Sequence, residues 1–452
     1  MTENLEDYEY NQLLNKIERK TAIISIIGLG YVGLPLLYTV FRKNYHVIGY
    51  DIDELRISNL LRCKSMIESV PDDNIDEVLK SGVSTFTFDA KELVKADVII
   101  ICVPTPLTKN REPDTSYINQ AINTIIGNFR KGQLIVLEST TYPGTTQNLV
   151  QTPFKNIGLN IGTDIFIAYS PEREDPGNND FNTASTPKIV GADDSKSLEV
   201  ALSFYNNIIF KTIALNSTAT AEAVKLTENI FRLVNISLVN ELKIIYEKMD
   251  ININEVIDAA SSKPFGYMPF YPGPGIGGHC IPIDPFYLSW KAKEFDYQIK
   301  FIELAGEIML HMPDYVVNRI REELDKKFSR SIKNSKLLIL GVSYKADIGD
   351  TRDSPVLKII NNLINYGANV EYYDPHVPIL KNINGFDQLK NKESLSNLPE
   401  SFDNFDAVII CVKHKKIDYK KILDSANLVV DTRNSIPNYG ISELKHANLV
   451  RA

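Results

Sequence analysis

Residues Ala22-Ile-Ile-Ser-Ile-Ile-Gly28-Leu-Gly30-Tyr-Val-Gly33-Leu-Pro35 decide how the rest of the chain is read. The opening run is apolar and rich in isoleucine, which suits a strand buried on both faces of a parallel sheet. Three glycines follow directly, then a helix-like segment over 34–43, then a strand over 46–50 ending at Asp51. The order carries the meaning, because the glycine spacing alone is a weak signal. Such glycines allow a tight turn and close approach of a pyrophosphate, which then sits at the N-terminus of the next helix. A carboxylate at the second strand's end accepts from ribose hydroxyls and repels a 2′-phosphate, so NAD is expected rather than NADP. The cofactor candidates here are Gly28, Gly30, Tyr31, Val32, Gly33 and Asp51.

Strands then recur with helical segments between them. The run 98–103 leads into Pro104-Thr105-Pro106, 134–137 into Glu138-Ser139-Thr140, and 165–169 into Ser170-Pro171-Glu172-Arg173. Ligands of an open α/β sheet bind beyond the strands' carboxyl ends, where all three polar clusters fall. Thr105 and Thr140 are candidate contacts to cofactor or substrate, with helix capping as the plainer alternative. Glu172 and Arg173 read either as a surface turn with a solvated ion pair or as an acid or base beside the cofactor.

From 192 to 263 there is neither glycine nor proline. Within that span, 217–249 reads as one helix about 45 Å long, capped by Asn216 or Ser217 and suited to bridging domains and forming a dimer surface. Glu222, Lys225, Asn229 and Arg232 share a stripe on it. A solvated face is the ordinary reading. Apolar neighbours around Asn229 and Asn235 suggest instead a polar cavity, where Lys225 stabilises an oxyanion and Asn229 binds substrate or water.

Beyond this helix lies Pro272-Gly-Pro-Gly-Ile-Gly277-Gly-His279-Cys280-Ile-Pro-Ile-Asp284-Pro285. Glycines bring a backbone close to a ligand and prolines fix its shape, so a thiol here is either presented or a passenger on a rigid linker. Asp284-Pro285 reads as a cap and first-turn proline of a helix over 286–294, placing Cys280 where the helix dipole favours a thiolate.

The last third repeats the first in outline. Strands are expected at 336–341, at 369–373 ending in Asp374, at 407–412 and at 428–431. In place of the glycine signature stands a longer loop carrying Lys345 and Arg352, either able to bind phosphate. Ser354-Pro355 then opens a helix ending before Gly367. The expected fold class is α/β, with two Rossmann-like doubly wound parallel sheets joined by a long central helix. Its divisions are an N-terminal extension (1–20), a cofactor domain (21–212), a central helical domain (213–330) and a second nucleotide domain (331–452).

A net charge of −8 over 452 residues argues against nucleic acid as partner. No apolar run approaches the roughly 20 residues that span a bilayer. The four cysteines have no paired metal-ligand spacing, so no metal is expected, and they read as reduced, cytoplasmic thiols.

These motifs, in this order, resemble the nucleotide-sugar 6-dehydrogenases, the UDP-glucose/UDP-N-acetylhexosamine dehydrogenase family, over essentially everything after residue 20. The matching elements are 28–35, 138–146, 170–173, the Lys225/Asn229 helix, Gly277-Gly-His-Cys280 and Tyr344-Lys345 through Arg352. The resemblance implies oxidation of a sugar C6 alcohol to a carboxylate with two NAD, a homodimer or higher oligomer through the central helix, and Cys280 as nucleophile on the intermediate aldehyde. It casts Lys225, Asn229 and Asp284 as groups that polarise the oxyanion and position water. Glu172 and Thr140 become the acid/base and water-handling pair. Gly277 and Lys345 are cast as substrate contacts, and Arg352 as reaching toward the cofactor. His279, Arg173 and the Thr141-Tyr142 pair depart from the glucose branch. The runs 102–114, 170–178 and Pro264-Phe-Gly most resemble UDP-N-acetylglucosamine 6-dehydrogenase, with the mannosamine, galactosamine and glucose enzymes as alternatives. Arg173 stands as the acetamido-side discriminator by position alone. Two rival classes are a two-electron hydroxyacid dehydrogenase, which needs no cysteine, and a non-catalytic nucleotide-sugar sensor.

Overall fold

The computed structural model describes residues 7–67, 69–108, 110–173, 185–381, 383, 385–436 and 448–452. Of the 170–178 motif, the part after Arg173 therefore lies outside the described residues, as does Lys109 of the 102–114 run. The chain divides into two compact units, Met1–Glu228 with Tyr287–Tyr297, and Asn229–Phe286 with Gln298–Ala452.

In chain order the first unit holds α1 (Tyr8–Glu18), β1 (Ile23–Ile27), α2 (Gly33–Arg42), β2 (His46–Tyr50), α3 (Glu54–Leu61), α4 (Asp72–Lys80) and β3 (Thr85–Thr87). It continues with β4 (Val98–Ile101), α5 (Ser116–Ile126), β5 (Gln133–Leu137), α6 (Thr152–Asn156), β6 (Ile165–Tyr169), β7 (Lys188–Gly191), α7 (Ser195–Ile208) and β8 (Thr212–Leu215). These strands form one sheet ordered β3-β2-β1-β4-β5-β6-β7-β8. The unbroken apolar runs follow from burial on both faces. Ile24 and Ile26 of β1 pack with Leu34 and Leu37 of α2, while Ile99 and Ile101 of β4 pack with Ile118 and Ile122 of α5. One detail departs from a purely parallel sheet: β6 meets β7 antiparallel, so the last two strands run against the rest.

The helix α8 (Thr218–Lys248) confirms the long central element, and the division between the units falls within it after Glu228. Asp193 holds its first turn, accepting from Thr218 N at 3.0 Å and Thr218 Oγ1 at 2.7 Å.

The second unit adds α9 (Ile253–Ser261), α10 (Asp284–Ala292, divided after Phe286), α11 (Lys300–Phe328), β9 (Lys336–Leu340), α12 (Pro355–Asn365) and β10 (Asn369–Tyr373). It ends with β11 (Ala407–Ile410), α13 (Tyr419–Ser425), β12 (Val429–Asp431) and β13 (Leu449–Arg451), in a parallel sheet ordered β10-β9-β11-β12-β13. The Ser354 side chain caps α12, with Pro355 in its first turn. Asp284 is the first residue of α10, and the turn entering it is closed by Cys280 O, which accepts from Ile283 N and Asp284 N at 3.1 and 2.8 Å.

Candidate active site

In the first unit the glycines make the tight turn that their spacing suggested. Gly28 has φ +90°, and a Cβ there would lie 2.6 Å from Cys102 O. A Cβ on Gly33 would fall 1.9 Å from Gly28 O, so α2 could not start where it does. Gly30 faces open space except for Arg56 Nη1 at 4.0 Å, which leaves its backbone approachable. Asp51 is buried at the end of β2 and accepts from Leu29 N at 2.8 Å and Asp53 N at 3.0 Å. Arg56 pairs with it at 3.1 Å, a partner the sequence did not reveal. Tyr31 is exposed and Val32 half-buried. Thr105 is buried beyond β4, and its carbonyl accepts from the Tyr287 hydroxyl.

Glu172, Arg173 and Lys225 converge. Lys225 Nζ donates to Glu172 O at 2.6 Å and lies 3.4 Å from Glu172 Oε2, with the lysine side chain only 6% exposed. Arg173 turns to Pro187 O and to Glu228, both at 2.6 Å. Behind them, Lys188 and Glu138 form an ion pair at 2.6 Å that is almost wholly buried, joined by the Tyr205 hydroxyl. A small cavity is lined by Val32, Leu36, Glu138, Glu172, Arg173 and Lys188. Thr140 is half-buried in the strap after β5. Of the stripe on α8, Glu222, Lys225 and Asn229 are buried and Arg232 is exposed. Asn235 is half-buried and donates to Phe231 O of its own helix.

In the second unit the thiol loop rests against the segment after β9. Gly278 N donates to Arg352 O at 3.0 Å. A Cβ on Gly277 would meet Tyr344 Cβ at 2.7 Å and Asp353 O at 2.8 Å, and one on Gly278 would meet the Tyr344 ring at 2.9 Å. The approach therefore requires glycine. Cys280 is outside any disulfide and half-buried at the entry to α10. Asn229 Nδ2 donates to Asp284 Oδ2 at 2.7 Å, with both residues buried. His279 lies among Arg352, Asp353 and Asp350; burial, with Arg352, holds its pKa below the usual imidazole range. Arg352 is clasped by Asp350, its Nη2 2.6 Å from Oδ2. Lys345 is half-buried in the same loop. Arg433 was missed by the sequence reading: it follows β12, donates to Cys411 O at 3.2 Å, and lies where a Cβ on Gly273 would fall.

Three family models cover most of the chain. They are the NAD binding, central and UDP binding domains of the UDP-glucose/GDP-mannose dehydrogenase family, at residues 22–209, 219–309 and 338–438. The chain belongs to this family. It is 34% identical over 421 residues to a UDP-N-acetyl-D-mannosamine dehydrogenase of Pyrococcus horikoshii, covering 91% of this chain and 96% of that one. It is 35% identical over 356 residues to a UDP-N-acetyl-D-glucosamine 6-dehydrogenase of Pseudomonas aeruginosa, covering 78% and 83%. A solved UDP-D-ManNAc dehydrogenase from Pyrococcus horikoshii superposes with TM-score 0.82 at 30% identity, over 95% of this chain and 98% of that chain.

As a member of the UDP-glucose/GDP-mannose dehydrogenase family the chain is an NAD-dependent UDP-sugar dehydrogenase. The glycine loop fits that cofactor: it has an approachable backbone at Gly30 and a carboxylate at Asp51 with acceptor capacity beyond its two backbone donors. The UDP-binding sheet repeats the arrangement and closes it. Asp374 ends β10 as Asp51 ends β2, and accepts from Val342 N at 2.8 Å as Asp51 does from Leu29 N. It also accepts from the N–H groups of Ser343, His376 and Val377, and His414 Nε2 stands 3.3 Å away. Burial opposes the charge on Asp374, but the His414 ring and these N–H groups outweigh it and hold the carboxyl below its usual range.

Asp347, His376 and His414 bring their ligand-type atoms within 4.8 Å of one another. His414 Nδ1, however, accepts Asp347 N–H at 3.0 Å, which assigns its proton to Nε2 beside Asp374. This contact ties His414 to the loop carrying Lys345. Among the described residues, no helix is long and apolar enough to cross a membrane.

Proposed function

We propose that this dehydrogenase oxidises the C6 hydroxyl of UDP-N-acetylglucosamine to the carboxylate, for surface-polysaccharide precursor synthesis in the cytoplasm. The observation that carries the reading is the glycine-only seat of the thiol loop, which presents Cys280 from the segment bearing Lys345. Two NAD molecules held in turn by the glycine loop and Asp51, with NADH leaving between them, would each accept one hydride. After the first, the Cys280 thiolate adds to the C6 aldehyde, forming a C–S bond and an oxyanion. Loss of the second hydride leaves a thioester. Water cleaves it, releasing the carboxylate and restoring the thiol.

Lys225, held against Glu172, supplies positive charge to the developing oxyanion, and Glu172 with Thr140 handles the proton and the water. Asn229 and Asp284 act as one hydrogen-bonded pair on water or the hemiacetal oxygen. Lys345 and Gly277 contact the substrate, and Arg433 joins them as a phosphate-binding cation. Arg352 orders the thiol loop through its carbonyl, in addition to reaching toward the cofactor. The runs 102–114 and Pro264-Phe-Gly favour the glucosamine epimer. A second reading, UDP-N-acetylmannosamine, is favoured by the relative from Pyrococcus horikoshii. Phe231, Leu238 and Ile245 recur at seven-residue intervals on α8 and are each nearly half exposed, which supports a homodimer through this helix.

Purified enzyme incubated with NAD and a panel of UDP-sugars tests the reading. Two NADH per sugar are expected, fastest with UDP-N-acetylglucosamine; preference for the mannosamine epimer moves the assignment to the second reading. One NADH per sugar points to a two-electron dehydrogenase and sinks the thioester route. Cys280→Ser should abolish the acid product, and undiminished acid formation by the variant would refute the thioester route.

A further inference from the structure

We infer that Glu222 is a positioning residue for the oxidation, tying the strap that carries Thr140 to the helix that carries Lys225. The inference rests on the function proposed above, in which both residues act on the sugar.

Glu222 is fully buried on α8, one turn before Lys225. Its Oε2 accepts from Gly144 N at 2.6 Å, and its Oε1 from Thr146 N at 2.8 Å and Thr146 Oγ1 at 2.7 Å. The other end of the strap is fixed as well, since Ser139 Oγ donates to Val103 O at 2.8 Å. Thr140 lies between these two anchors. The helix itself sits flush on the sheet, because a Cβ on Gly191 would lie 2.6 Å from Ser217 O and 2.7 Å from Ala221 Cβ. Three residues beyond Glu222, Lys225 reaches the main chain of Glu172. A single carboxylate therefore couples the strap after β5 to the helix facing the turn after β6.

This arrangement is costly to keep for stability alone. Among the described residues Glu222 has hydrogen-bond donors but no cation within ion-pair distance, and an unneutralised buried carboxylate is expensive. Burial pushes its pKa up to about 7, against the hydrogen bonds from Thr146 and Gly144. Asp193, which follows β7 and accepts from Thr218 in the first turn of α8, faces Glu222 and adds to the rise. Protonation removes acceptor capacity from one of the three donors, so the strap loosens as pH falls through this region.

Glu222→Gln tests the inference, because its NH₂ group meets N–H donors where an oxygen stood. Expected is a loss of kcat of about 10- to 100-fold, the scale of a small misplacement of reacting groups, with KM for UDP-sugar and NAD changed by less than about threefold. The acid limb of kcat near neutral pH should vanish with it. Thr146→Val removes only the hydroxyl donor and should give a smaller loss in the same direction, keeping the test available if the glutamine variant does not fold. Unchanged kcat and pH profile in folded Glu222→Gln, or an unchanged kcat in Thr146→Val when the first variant is lost, overturns the inference alone. A wild-type enzyme that oxidises no UDP-sugar overturns it together with the proposed function.

Discussion

Replacing Lys243 by methionine should stabilise the protein. Lys243 is 6% exposed on α8, and its Nζ has no hydrogen-bond partner among the described residues. It sits 5.4 Å over the Tyr315 ring. Burial lowers its pKa from 10.5 to about 8; Glu247 and Asp431 oppose the fall, and Arg433 and Arg319 add to it. At 1.36 kcal/mol per pH unit this puts the charged form about 3 kcal/mol less stable in the folded state than in the unfolded one. Methionine keeps the length and bulk without the charge. Because the folded pKa is depressed, the unfolded chain holds more protons between pH 8 and 10.5, and wild-type stability rises with pH across that window. Below pH 8 the full penalty applies. Denaturant melts at pH 7 should therefore show the variant more stable by about 3 kcal/mol, or roughly 6–12 °C in Tm for a unit of this size. The gap should close by pH 10.5. A variant no more stable at pH 7, or a gain that does not change with pH, refutes the claim that this ammonium is buried without compensation.

Lys188→Met should act in the opposite direction. It strands Glu138 in a pair whose side chains are 7% and 1% exposed, costing about 3–5 kcal/mol in a denaturant melt. Gly277→Ala drives a Cβ into Asp353 O and Tyr344, neither of which can retreat like a flexible side chain. The alkylation rate of Cys280 should change and kcat should fall at least about tenfold while circular dichroism stays native; unchanged alkylation would mean the seat does not matter. Arg173→Phe frees Glu228 and removes the proposed acetamido discriminator, so the preference for UDP-N-acetylglucosamine over UDP-glucose should drop by about tenfold in kcat/KM. An unchanged ratio assigns Arg173 to holding Glu228 and Pro187 only.

Much of the fold was legible because its strands are buried on both faces and therefore read as unbroken apolar runs. β2, β6 and β10 have the bounds their sequences suggested, and the repeat from Asp51 to Asp374 was visible as two strands ending alike. Site chemistry was legible where glycine was required, as at Gly33 and Gly277. It was hidden wherever a side chain chose between distant partners. Asp284 was legible as the opening of a helix because Asp-Pro commonly starts one, but its bond with Asn229, 55 positions away, was not. Glu222 looked like part of a solvated stripe, since nothing nearby in sequence shows that Gly144 and Thr146 come to it from another loop. Arg56 and Arg433 escaped notice for the same reason, each lying outside the motif it touches.

The saturation of Asp374 has a consequence for how one polypeptide keeps two nucleotides apart. Both sheets descend from the same plan, and a chain with two competent dinucleotide cradles would be blocked by its own coenzyme whenever that coenzyme was abundant. In the second cradle four backbone N–H groups fill the carboxylate's acceptor sites and His414 covers its remaining side, so a ribose diol finds no free oxygen. Cross-occupancy is thus prevented by spending the recognition group internally, without adding any obstructing bulk. The second carboxylate is thereby withdrawn from ribose recognition.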